Sequence, residues 1–75
     1  MFSVSAIITF ESDLRQYREE AGLSQEALAR QVDVSRQTIA NIEGGVSEPR
    51  VLLALALAVA LGVLVTDLFR KAPNL

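Results

Sequence analysis

Residues 24–45 read SQEALARQVDVSRQTIANIEGG. The stretch predicts two short helices joined by a tight turn. Ser24 is a good N-cap, and Glu26 and Ala27 suit a first helical turn. Leu28, Ala29 and Val32 fall on one face of that helix. Ala29 stands where two helices would cross closely, an approach that only a small side chain permits. Ser35 is a second N-cap, directly before Arg36. Ile39 and Ile42 turn inward at a spacing of i and i+3. Gly44-Gly45 closes the second helix, because glycine accepts the left-handed conformation common at a helix C-terminus. Arg36, Gln37, Thr38, Ala40 and Asn41 are left on its outer face.

A helix pair of this plan is a helix-turn-helix, whose second helix fits the major groove of DNA. Further residues extend the pattern along the chain. Leu14-Arg15 and Arg18 stand on a preceding helix, followed by Gly22-Leu23-Ser24-Gln25. Pro49, Ala58, Ala60-Leu61-Gly62-Val63 and Leu68-Phe69 come after. The ordered set, from about residue 10 to 69, resembles the Cro and phage-repressor type of helix-turn-helix, the XRE family. That resemblance implies an all-α, compact five-helix lambda-repressor-like DNA-binding domain. The family usually has glycine where this chain has Asp33. Aspartate tolerates a left-handed backbone, so the turn should form at a modest cost in stability.

Outward from the motif, three segments are expected. Residues 1–9 are an N-terminal extension in which β-branched and small residues over 3–9 permit a short strand, with a tail as the alternative. Residues 10–70 are the domain, and 71–75 a C-terminal tail. Within the domain a first helix is predicted over about 10–21, with Phe10, Leu14, Tyr17 and Ala21 on its buried face. A fourth helix is predicted from about Arg50 to Leu61, ending at Gly62, and a fifth over about Val65–Arg70. Val51, Leu55, Ala58 and Leu61 are expected to face the core.

Composition narrows the function classes. The chain of 75 residues contains no cysteine and no histidine, which removes disulfides, thiolate metal sites and the commonest general base. No nucleophile–base pair, phosphate-binding glycine loop or metal-ligand spacing occurs. Neither catalysis nor a metal or other cofactor is expected. The first ten residues lack the basic start of a secretory signal. The apolar run Val51–Val65 is shorter than the roughly 20 residues of a membrane span. A cytoplasmic chain with no membrane role is expected. Net charge is −2, unfavourable overall for a polyanion ligand. Glu11, Asp13, Glu19 and Glu20 cluster early in the chain and can point away from DNA.

Arg36, Gln37 and Asn41 are the candidate base contacts. Arginine can hydrogen-bond twice to guanine, and glutamine or asparagine twice to adenine. The resemblance implies the same three positions. Ser24, Gln25 and Thr38 are candidate phosphate contacts. Gln25 opens a helix whose free N–H groups favour an anion, although Ser24 can equally serve only as a cap. Arg50 could meet a flanking phosphate or cap the fourth helix. The resemblance further implies that Arg18 pairs with Glu43, bracing the second helix of the motif.

Two functions fit. One is a sequence-specific DNA-binding transcriptional regulator, a repressor, acting as a homodimer on a palindromic operator. The other is a protein-interaction module or antitoxin of the same fold, binding a partner protein such as a toxin through the fourth helix. Relatives usually carry charge on the outer face of that helix, where this chain has Leu52, Ala56 and Val59. Leu64 likewise replaces a polar cap before the fifth helix. A helix apolar all round is normally buried all round, so Leu52, Val59 and Leu64 are expected at a dimer interface.

Overall fold

A computed structural model describes residues 10–71. The element order is β1 (Phe10–Ser12), α1 (Leu14–Glu20), α2 (Gln25–Gln31), α3 (Arg36–Glu43), α4 (Val51–Leu61), α5 (Val65–Leu68) and β2 (Phe69–Lys71). Five helices thus surround a core closed by a small antiparallel sheet. In it Phe10 pairs with Lys71, Glu11 with Arg70 and Ser12 with Phe69.

The sheet corrects two expected boundaries. The first helix begins at Leu14, not near residue 10, and the last ends at Leu68, not at Arg70. Phe10 lies in a strand and Ala21 is exposed, so neither belongs to a buried face of α1. Helical spacing of Phe10 and Leu14 is real in the sequence. It loses to pairing between chain ends, which anchors Asp13 by its N–H donating to the Leu68 carbonyl at 2.8 Å. Arg70 adds a clamp, 3.2 Å from Glu11 and also bonded to Asp13. The strand considered for residues 3–9 lies outside the described residues.

The helix ends follow local chemistry. Ser24 Oγ accepts the Ala27 N–H at 3.0 Å, and Ser35 Oγ accepts that of Thr38 at 3.1 Å. Between α2 and α3 Asp33 takes a φ of 58°. This lets the Val34 N–H donate to the Ala29 carbonyl at 3.0 Å. Gly62 ends α4 at a φ of 68°, where any side chain but glycine's would be strained. The Asp67 carboxylate accepts the Leu64 N–H at 3.0 Å, starting α5 without a polar residue at its cap.

Leu14, Leu28, Ala29, Ile39, Ile42, Leu57, Ala58 and Leu68 form the buried core. Every helix contributes to it. The expected inward face of α4 needs correction: Ala58 is buried, but Val51 is 73% exposed and Leu55 46%. Leu57 is fully buried instead, with Leu53 and Leu61 packed against the core. Eleven apolar residues in a row leave no polar stripe from which to read the helix's rotation,.

Candidate nucleic-acid interface

The start of α3 is held by a chain of polar contacts running into the protein. Arg18 Nε lies 2.6 Å from Glu43 Oε2, and Arg18 Nη2 donates to Glu43 Oε1 at 3.2 Å. The two side chains are only 10% and 5% exposed. The third guanidinium nitrogen, Nη1, donates to the Leu23 carbonyl at 2.8 Å. Its hydrogen bond with Glu43 raises the Arg18 pKa, partly opposed by burial and helped by the charges of Glu43 and Glu19. The ion pair joins the end of α3 to α1.

Gln25 continues the chain. Its Nε2 donates to Glu43 Oε1 at 3.1 Å, and its Oε1 accepts from Arg36 Nη1 at 3.2 Å. The carboxylate thereby orients the amide, turning its oxygen toward Arg36. A buried ion pair, one amide and the first residue of α3 become one connected unit. Nothing local in the sequence announces this: Gln25 reads as an isolated polar residue at a helix start, and its two partners lie 18 and 11 positions away.

The outer surface of α3 carries the remaining candidates. Arg36 and Gln37 are exposed and Asn41 is half-buried one turn later. Gln37 Nε2 donates to Asn41 Oδ1 at 2.9 Å. Thr38 is half-buried, its hydroxyl 2.8 Å from that of Ser35. Ser24 is exposed at the start of α2. Arg50 is the N-cap residue of α4, and its side chain makes no capping hydrogen bond.

Electrostatics at this surface differ from the net charge. Arg15 pairs with Glu19, Arg30 with Glu26, and Arg70 with Glu11 and Asp13. Arg36 and Arg50 have no carboxylate partner among the described residues. The negative total therefore conceals two positive charges in front of α3 and at the start of α4.

A second surface lies on α4. Leu52 is 80% exposed, Val59 82% and Leu64 69%; Ala56 is half-buried. Val51, Leu55 and Val59 form a ridge spaced i, i+4 and i+8. Hollows flank the ridge. One, of about 440 Å³, is lined by Phe10, Pro49, Val51, Ala54, Leu55 and Val65 among others. The other, of about 530 Å³, is lined by Gln31, Val32, Leu55, Ala56, Val59 and Ala60. No described helix is long and apolar enough to cross a membrane.

Two serine-capped helices joined by a tight turn, with Ala29 buried between the core residues and a polar outer face on the second, define a helix-turn-helix protein. The chain belongs to the helix-turn-helix family (HTH_3), which matches residues 14–68. An uncharacterized HTH-type transcriptional regulator of Methanothermobacter thermautotrophicus is 49% identical over 49 residues, 65% of this chain and 71% of that protein. Another, from Methanocaldococcus jannaschii, is 42% identical over 59 residues, 79% of this chain and 89% of that one. Among solved structures, the restriction-modification controller protein C.AhdI of Aeromonas hydrophila is similar, with a TM-score of 0.68 and 33% identity. The match covers 72% of this chain and 82% of that one. The clp gene regulator ClgR of Corynebacterium glutamicum also matches, at a TM-score of 0.68 and 31% identity. There the chain covers 57% of the other's length. The family and these relatives are DNA-binding transcriptional regulators, not enzymes.

Proposed function

We propose that this chain is a cytoplasmic, sequence-specific repressor that binds a palindromic operator as a homodimer. The observation that carries the reading is the outer face of α3. Arg36 stands there without a carboxylate partner among the described residues, beside exposed Gln37 and with Asn41 one turn along. On this reading Arg36 reads guanine, and Gln37 and Asn41 read adenine. Ser24, Thr38 and Arg50 meet phosphates. Gln25 serves the backbone contact only in part, since its amide is already shared between Glu43 and Arg36.

The homodimer rests on α4. A ridge of Val51, Leu55 and Val59 with a hollow on each side suits helix-on-helix packing, in which each ridge fills its partner's groove. Two copies related by a two-fold axis would bury Leu52, Val59 and Leu64 and present two α3 helices to one face of DNA. Two-fold symmetry in the protein then requires two-fold symmetry in the operator. The same apolar face supports a second reading, in which a toxin or other partner protein covers it.

Selection of bound duplexes from a random double-stranded pool tests the proposal. The expected product is a palindrome whose half-site centres lie about 10–10.5 base pairs apart, or a multiple of that. Failure to enrich any sequence, with retention of a partner protein on α4, would favour the second reading.

A further inference from the structure

The hydrogen bond between Gln37 and Asn41 joins two of the side chains assigned above to base contact. Their positions, one helical turn apart, place the amides side by side. Gln37 Nε2 donates to Asn41 Oδ1 at 2.9 Å. That leaves the Gln37 carbonyl oxygen as an acceptor and the Asn41 amino group as a donor, neither with a partner among the described residues. Rotating both amides by half a turn reverses the bond. It still leaves one free acceptor and one free donor, now on exchanged residues. The pair therefore offers a donor next to an acceptor whichever way the amides are set.

We infer that Gln37 and Asn41 act as one composite reader, recognising a single adenine in each half-site. Adenine shows the complementary pattern in the major groove, an acceptor at N7 beside a donor at the N6 amino group. Guanine shows two acceptors, N7 and O6, and matches only one half of the pair. Either amide could satisfy adenine alone, using both of its polar ends. Here their mutual bond takes one N–H of Gln37 and one lone pair of Asn41, so the wholly uncommitted ends are the Gln37 carbonyl oxygen and the Asn41 amino group, one on each residue,. Breaking it would leave a half-buried asparagine to find another partner. Holding the pair intact also fixes both side chains before binding, which lowers the ordering cost of the contact.

This inference rests on the DNA-binding reading, and its test separates the two. The probe is the duplex that the wild-type chain enriches from a random pool, together with versions carrying each base pair replaced in turn. Gln37→Ala, Asn41→Ala and the double variant are measured against this set. Alanine suits the helix, and the bonds that the Val46 and Ser47 N–H groups donate to residue 41 use its backbone carbonyl. An unchanged helical spectrum and an unchanged urea unfolding midpoint certify folding. The expected result is that both single variants lose discrimination at the same A·T pair. Each should weaken operator binding about 10- to 100-fold, within the range of one good bidentate contact. The double variant should fall less than about threefold further, since removing either partner already dismantles a coupled unit. Loss of discrimination at two different base pairs, with penalties that multiply in the double variant, would overturn the composite reader while leaving sequence-specific binding intact. If the wild-type chain enriches no sequence, the DNA reading falls and this inference with it.

Discussion

The α2–α3 pair and α4 are built on opposite plans. In the pair, nearly every polar side chain has an assigned partner: Ser24 and Ser35 cap, Arg18 and Glu43 neutralise each other, Gln25 joins Glu43 to Arg36, and Gln37 holds Asn41. In α4 no side chain is polar. Directional contacts make the first region intolerant of small chemical changes but easy to assign residue by residue. Non-directional contacts make the second tolerant and hard to assign, because burial there depends only on what lies opposite. The difference shows which kind of pattern a sequence can carry openly.

The sharpest way to break this contrast is at Glu43. Glu43→Ala leaves Arg18 charged and buried without its counter-ion, which typically costs about 3–5 kcal/mol. Urea unfolding should show the loss directly. Converting the pair together, as Arg18→Met with Glu43→Leu, should recover most of it, because the uncompensated charge is gone. A loss below about 0.5 kcal/mol for Glu43→Ala, the size expected of an ordinary surface change, would mean that the pair is not the brace described.

A smaller effect is expected one step along the chain of contacts. Arg36→Ala should reduce operator affinity by about 1–3 kcal/mol and relax the preference for one guanine. Titration against operator and random duplex separates that loss from a simple loss of charge. Equal losses on both would mean that Arg36 meets only the backbone.

Salt dependence sharpens the electrostatic side. Each phosphate neutralised contributes about −0.9 to the slope of log K against log salt. With Arg36, Arg50 and at most one further cation per subunit in play, the slope should stay shallower than about −6. A value near −10 would show that the acidic residues on α1 are compensated in a way the ion pairs do not account for.

The smallest effect is expected from pH. The chain has no histidine, and the hydrogen bonds of Arg18 to Glu43 and of Arg70 to Asp13 raise both arginine pKa values. A raised pKa gives stability that is complete below the unfolded guanidinium range and fades only above it. That window lies above about pH 12. Unfolding free energies from urea titration should therefore be flat from about pH 6 to 9, within roughly 0.5 kcal/mol.

The same contrast explains what was legible in the sequence. Ser24, Asp33, Ser35 and Gly62 mark helix boundaries through local chemistry, and those boundaries lie where the residues indicate. Ile39 and Ile42 show the inward face of α3 because polar neighbours outline it. In α4 nothing outlines a face, so Val51 and Leu55 read as core although Leu57 is buried in their place, beside Ala58. The β1–β2 pairing was equally hidden, since Ser12 and Phe69 meet only through the fold. At the candidate interface the residue types were legible and their connections were not. Gln25 suits a phosphate on its own, and only the folded chain brings Glu43 and Arg36 to its two amide atoms.

In the proposed function α3 meets DNA while α4 meets a second copy. Sedimentation of the wild-type chain, Leu52→Glu and Val59→Glu, each with and without the selected operator duplex, tests it most directly. The wild-type chain should be a dimer at micromolar concentration and bind one dimer per duplex. Both variants should be folded monomers that bind the operator weakly and random duplex nearly as before. A wild-type monomer, or variants that remain dimeric with full operator affinity, would contradict the account.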